Sequence, residues 1–226
     1  MIKKIKIFGE RNSGTNFLNC LIEKNIKNID ICSSYYRDKT GWKHGTPKLD
    51  LYDNTIDKTL FIFIIRDLEP WLKSMYKLPH HMKKFNNIKL FLTNKIIAND
   101  ARKDHDINIY SGETNKTIFE LRYYKINSYI NTFKNVKNAI IVNLEDLQQD
   151  KGKKFINTLH DSFQLLTSSE FCPIIKHTKT KQKNVQNRQI NVMLDTDLIN
   201  NGKNIELEQF VKSLKEKYYI KLAPNS

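Results

Sequence analysis

The stretch from Phe8 to Leu18 limits what this chain can fold into more than any other. Ile5, Ile7 and Phe8 read as a buried strand, and Phe17, Leu18, Leu21 and Ile22 recur at helical spacing. Between them lies Gly9-Glu10-Arg11-Asn12-Ser13-Gly14, a turn that opens a helix. There, unpaired backbone N–H groups and the positive end of the helix dipole favour an anion, and glycines let the backbone approach it closely. A capped turn that binds nothing has the same local pattern.

The turn is close to a Walker A loop and departs from it at two positions. G-x-x-x-x-G-K-[ST] would place a Lys at Thr15 and a Mg²⁺-binding hydroxyl at Asn16. A kinase needs that Lys on the β/γ-phosphates and that hydroxyl on the metal. The loop from Arg11 to Asn16 therefore reads as an anion site without a metal, with Arg11 as its cation.

A second apolar run, Leu60-Phe61-Ile62-Phe63-Ile64-Ile65, suits a central parallel strand covered on both faces. Arg66 stands at its carboxyl end, where open α/β sheets bind ligands. Pro70 then stands near the first turn of a helix that runs on through Ser74. Pairing of Arg66 with a nearby carboxylate is the structural alternative. Between these segments, Gly41-Trp42-Lys43-His44-Gly45-Thr46-Pro47 is a glycine-bounded turn carrying a cation and an imidazole. A loop His of this kind is either solvated or a general base.

Together these motifs resemble the sulfotransferases that use 3′-phosphoadenosine 5′-phosphosulfate (PAPS). Asn12-Ser13-Gly14-Thr15 stands where that family has a Lys-Ser-Gly-Thr core, so the family Lys is missing. Arg66, Asp67 and Ser74 fit the family's Arg-[Asp/Asn]-Pro-x-x-x-x-x-Ser pattern, with the Pro displaced to Pro70. Lys43-His44 is similar to the Lys-x-His that carries the family's general base, one residue tighter. Asn143-Leu144-Glu145-Asp146-Leu147 resembles its Tyr-Glu-Asp-Leu segment, implying carboxylates that cap the next helix. The resemblance covers most of the chain up to Asp150 and implies a P-loop-like three-layer fold. It further implies sulfuryl transfer from PAPS to an acceptor hydroxyl, a carbohydrate among the candidates, leaving adenosine 3′,5′-bisphosphate. Arg11, Asn12, Ser13, Gly14, Thr15 and Asn16 would hold the 5′-phosphosulfate, and Arg66 with Ser74 the 3′-phosphate. Phe17 would stack on adenine or be a core residue. His44, with Lys43 and Arg11, would carry the chemistry.

The fold expected is α/β, one domain over 1–226, with parallel strands before Gly9, near Ile31, before Arg66 and before Glu145. Helices are expected from Thr117 to Phe133 and from Glu206 to Tyr218. Residues 77–116 read as an acceptor-side insertion and 172–190 as a basic lid loop. Among 226 residues the three cysteines lack C-x-x-C spacing, and adjacent His80 and His81 cannot share a helical face, so no metal is expected. Lysines interrupt the N-terminal apolar residues and no later run approaches a membrane span, which gives the expectation of a soluble, cytoplasmic protein. The net charge of +14 admits a nucleic acid, an anionic surface or an anionic small molecule. The lysines are spread along the chain, as a Lys-, Asn- and Ile-rich composition would spread them. A P-loop kinase and a basic nucleic-acid-binding protein are the two alternatives to a sulfotransferase.

Overall fold

Apolar, β-branched runs make the sheet and amphipathic segments cover it. A computed structural model describes residues 1–32, 41–49, 55–96, 111–150, 152–174, 193–215 and 218–222. The strands are Lys4–Gly9 (β1), Asp30–Cys32 (β2), Thr59–Ile65 (β3), Asn138–Asn143 (β4) and Tyr219–Lys221 (β5). They form a sheet of order β2-β1-β3-β4-β5, in which the first four are parallel and β5 runs antiparallel along β4. All seven residues of β3 and all six of β4 are buried, which explains the unbroken apolar runs from Leu60 to Ile65 and from Ala139 to Val142.

Eight helices flank this sheet among the described residues: Thr15–Asn25 (α1), Leu68–Lys77 (α2), Ile88–Thr93 (α3), Ile118–Asn135 (α4), Leu144–Gln149 (α5), Lys153–Phe163 (α6), Thr196–Gly202 (α7) and Ile205–Ser213 (α8). Side chains alternate along a strand, so Ile62 and Ile64 face one core with Leu18, Leu21, Ile22, Phe155 and Leu159. Phe61, Phe63 and Ile65 face a second core, with Ile126, Tyr129, Leu207 and Val211. Trp71, Leu72, Phe91 and Phe119 centre a third apolar cluster under α2, α3 and α4.

The strand order positions the site. From β1 the chain returns to β2 on one side, whereas from β3 it goes on to β4 on the other. A crevice therefore opens past the carboxyl ends of β1 and β3, where ligands bind in open α/β sheets. Gly9 pairs with Ile64 at the last register position of that pair, so the turn after β1 and Arg66 after β3 leave the sheet side by side.

Several expectations change. The C-terminal helix ends at Ser213, and Tyr219 begins an antiparallel edge strand. The stretch 77–116 contains the short helix α3, started by Asn87, whose side chain accepts from the Leu90 amide. The helix after β4 is capped by Asn143, not by carboxylates, since the Asn143 side chain accepts from the Glu145 and Asp146 amides. Most of the expected lid, 175–190, and residues 97–110 of the insertion, with His105, lie outside the described residues. No helix is long and apolar enough to cross a membrane, among the described residues.

Candidate functional site

The turn after β1 is shaped by its backbone. Asn12 and Gly14 adopt left-handed conformations, with φ of 61° and 90°. Gly14 is the residue before α1, and no side chain caps that helix, contrary to a Ser/Thr cap. Ser13 is buried and its hydroxyl donates to the Glu10 carbonyl at 2.6 Å, which closes the turn and leaves Ser13 off the cleft wall. Asn12 pins the turn to α2, its amide donating to the Leu78 carbonyl at 2.9 Å and the Ser74 carbonyl at 3.3 Å.

Around this turn lies a pocket of about 240 Å³ lined by Asn12, Gly14, Thr15, Asn16, Phe17, His44, Arg66, Ser74, His80, Leu144 and Gln148. Four separate stretches of chain meet there. The described lining contains an arginine and two histidines and no carboxylate. The volume falls below the roughly 300–1,000 Å³ usual for small-molecule sites, so the pocket would enclose the charged part of a ligand and leave the rest reaching outward. A larger pocket of about 380 Å³ lies between α2, α7 and α8, with Asp67, Glu69, Glu208 and three lysines in its wall. Its mixed charge selects no ligand, and size alone does not decide between the two.

Arg66 is held from two sides. Its Nε donates to Glu145 Oε1 at 3.0 Å and its Nη1 to the Asn12 carbonyl at 3.2 Å. The carboxylate pairing is therefore real, yet it engages one edge of the guanidinium, and among the described residues Nη2 has no partner. Glu145 also accepts from the Asp67 amide at 3.0 Å, at the start of α2. Sequence reasoning missed this role. The signal was positional: Ile65 pairs with Asn143, so Glu145 leaves β4 beside Asp67 leaving β3.

His44 is oriented by the strand end. Its Nδ1 lies 2.9 Å from the Gly9 carbonyl. A carbonyl can only accept, so Nδ1 carries the proton and the neutral ring leaves Nε2 as the acceptor. Burial holds the His44 pKa well below its ordinary value, with Lys43, Arg11 and Lys125 pushing the same way and the Gly9 hydrogen bond opposing. The loop is fastened on three sides. The Gly9 amide donates to the Lys43 carbonyl at 2.9 Å, Lys125 donates to the His44 carbonyl, and Trp42 packs edge-on to the imidazole at 4.9 Å.

Two expected cations sit elsewhere. Arg11 does not line the pocket; it is 2% exposed, stacks on Trp42 at 5.0 Å, and offers its carbonyl to Trp71 Nε1 at 2.8 Å. Lys43 does not line it either. Its ammonium donates to Asn16 Oδ1 in the first turn of α1, and burial lowers its pKa. Phe17 lines the pocket and packs against the core. Among the described residues no group of three or more His, Cys, Asp or Glu could hold a metal ion.

Beneath the site is a buried charge network. Glu10 pairs with Arg122 at 2.6 Å, and Arg122 with Glu208 at 2.7 Å. Burial raises the Glu10 carboxyl to about 7, with Arg122 opposing. No family model, curated protein or solved structure matches the chain, so the function rests on this geometry.

Proposed function

We propose that the protein is a P-loop-like sulfotransferase that moves a sulfuryl group from PAPS to an acceptor hydroxyl. The observation that carries the reading is a single cleft, free of carboxylates among its described residues, that gathers the turn after β1, His44, Arg66 and Ser74. This donor set fits two phosphate groups. Backbone amides and the start of α1 suit the 5′-phosphosulfate, while Arg66 Nη2 and the Ser74 hydroxyl suit the 3′-phosphate. Thr15 in place of the Walker lysine speaks against a kinase.

PAPS supplies the sulfuryl group and a good leaving group. The chain supplies the rest. His44 Nε2 takes the proton as the acceptor oxygen bonds to sulfur, and the sulfur–oxygen bond to the phosphate breaks with its electron pair on the phosphate. Amides of the turn meet the charge that builds on that oxygen, with Lys43 fixed behind Asn16 and Arg11 behind Trp42.

Adenosine 3′,5′-bisphosphate is expected to stabilise the fold against heat well beyond ATP with Mg²⁺, which lacks the 3′-phosphate. At about a hundred times the dissociation constant the gain is roughly 2.7 kcal/mol. Equal shifts with both ligands would refute the assignment. Arg66→Ala is expected to weaken bisphosphate binding by roughly 1.5 to 3 kcal/mol while leaving adenosine 5′-phosphate nearly unaffected. Calorimetry that shows equal losses for both ligands would make Arg66 a structural residue.

A further inference from the structure

Past the pair Gly9 and Ile64, β1 and β3 part company, one chain turning into α1 and the other into α2. The cleft works as an anion site when the two departing chains keep a fixed separation, because one carries the turn and the other carries Arg66. Something must bridge the split. The side chain at that place is Arg122, on the buried face of α4 and 1% exposed.

Arg122 makes four hydrogen bonds in three directions. Its Nη1 donates to Glu10 Oε2 at 2.6 Å, on the residue that follows β1. Its Nη2 donates to the Arg66 carbonyl at 2.8 Å, on the residue that follows β3, and to Glu208 Oε2 at 3.1 Å. Its Nε donates to Glu208 Oε1 at 2.7 Å, on α8. The guanidinium also lies over Trp71, 5.0 Å from the ring centre, and Trp71 in turn bonds the Arg11 carbonyl at 2.8 Å. A planar fork with five donors can span such partners at once, whereas an ammonium is a point charge.

We infer that Arg122 is a positioning residue of the anion site, a single guanidinium that binds both the residue after β1 and the backbone of Arg66, alongside the Arg66–Asn12 and Trp71–Arg11 bonds. Arg122 is not itself a lining residue of the pocket; it reaches the lining through the Arg66 carbonyl. Glu208 orients it, so α8, close to two hundred positions after the turn in sequence, belongs to the machinery of the site. The inference rests on reading the cleft as an anion site, and not on which nucleotide occupies it.

The test is amide hydrogen exchange of the full chain without ligand, read by peptide mass spectrometry in Arg122→Lys and Glu208→Gln. Lysine keeps the charge and loses the fork. Glutamine keeps one acceptor oxygen for Arg122 and loses the bidentate carboxylate. Both variants are expected to speed exchange about tenfold or more in 9–15 and in 66–74 together, with β3 and β4 as protected as in the wild type. A purely structural role would loosen the strands as well. Glu208→Gln, whose side chain meets neither segment directly, keeps the question open to refutation should the lysine variant fail to fold. Unchanged exchange, a rise in one segment alone, or a uniform rise that includes the strands overturns the inference. Failure of the nucleotide reading appears separately, as absent stabilisation of the wild type by the bisphosphate.

Discussion

Replacing His44 with alanine is expected to lower turnover about 10²- to 10⁴-fold while leaving bisphosphate affinity within a small factor. The Nδ1 bond to the Gly9 carbonyl fixes the tautomer, so the ring offers Nε2 alone, and a parallel His80→Ala variant separates its part from that of the other pocket histidine. The pH dependence gives a second check with a definite sign. Because burial lowers the His44 pKa well below its ordinary value of 6.5, the ring is already neutral near pH 6.5. The rate is then expected to stay flat through neutral pH and to fall on the acid side of the usual histidine range, and the alanine variant should lack that acid limb. The same shift acts on stability. A depressed pKa means that His44 supports the fold above 6.5, and that this support is lost as pH falls through the folded-state value. Near-full turnover in the variant with an identified acceptor would exclude His44 as the base.

Gly9→Val is expected to destabilise the fold by about 3 kcal/mol or more, at the upper end for overpacking. A Cβ at Gly9 would lie 2.5 Å from the Ser13 hydroxyl and 2.6 Å from the Ile64 carbonyl oxygen. The second contact is backbone in the middle of the sheet and cannot swing away. Chemical denaturation should show the loss, and Gly9→Ala should show a smaller one. The cost also reaches the cleft, since the Gly9 carbonyl holds His44 and its amide holds the Lys43 carbonyl. A valine variant as stable as the wild type would mean that β1 and β3 can separate at this point without loss. That result would also weaken the case for a rigid turn.

Much of the frame was legible because its signals are local. The glycine turn between an apolar strand and an amphipathic helix, and the unbroken run of β3, announce themselves by periodicity. Arg66 was legible from the rule that ligands meet strand ends. The antiparallel strand β5 was not, because a three-residue edge strand following a helix carries too little pattern to separate it from the helix end. The placement of Arg11 was also hidden. A basic residue in a turn that opens a helix suggests a cation aimed at a ligand, and only the fold shows its guanidinium over Trp42. Arg122 did leave a trace. It falls four residues after Ile118 and four before Ile126 on one helical stripe, and a charge on an apolar stripe implies a buried partner. That partner, Glu10, lies far away in sequence, so periodicity could raise the question without answering it.

Among the described residues both edge strands are short: β2 and β5 span three residues each, while β4 beside β5 spans six, all buried. Unpaired strand edges recruit other chains, and short edge strands limit that hazard. Here β5 shields a far more adhesive surface than its own. A chain cut before Tyr219 would lose its pairing with Ala139, Ile140 and Ile141 and present their open backbone to other molecules. For handling this protein, the last strand therefore acts as a guard against self-association, and tags or truncations at the C-terminus should leave Tyr219, Ile220 and Lys221 in place.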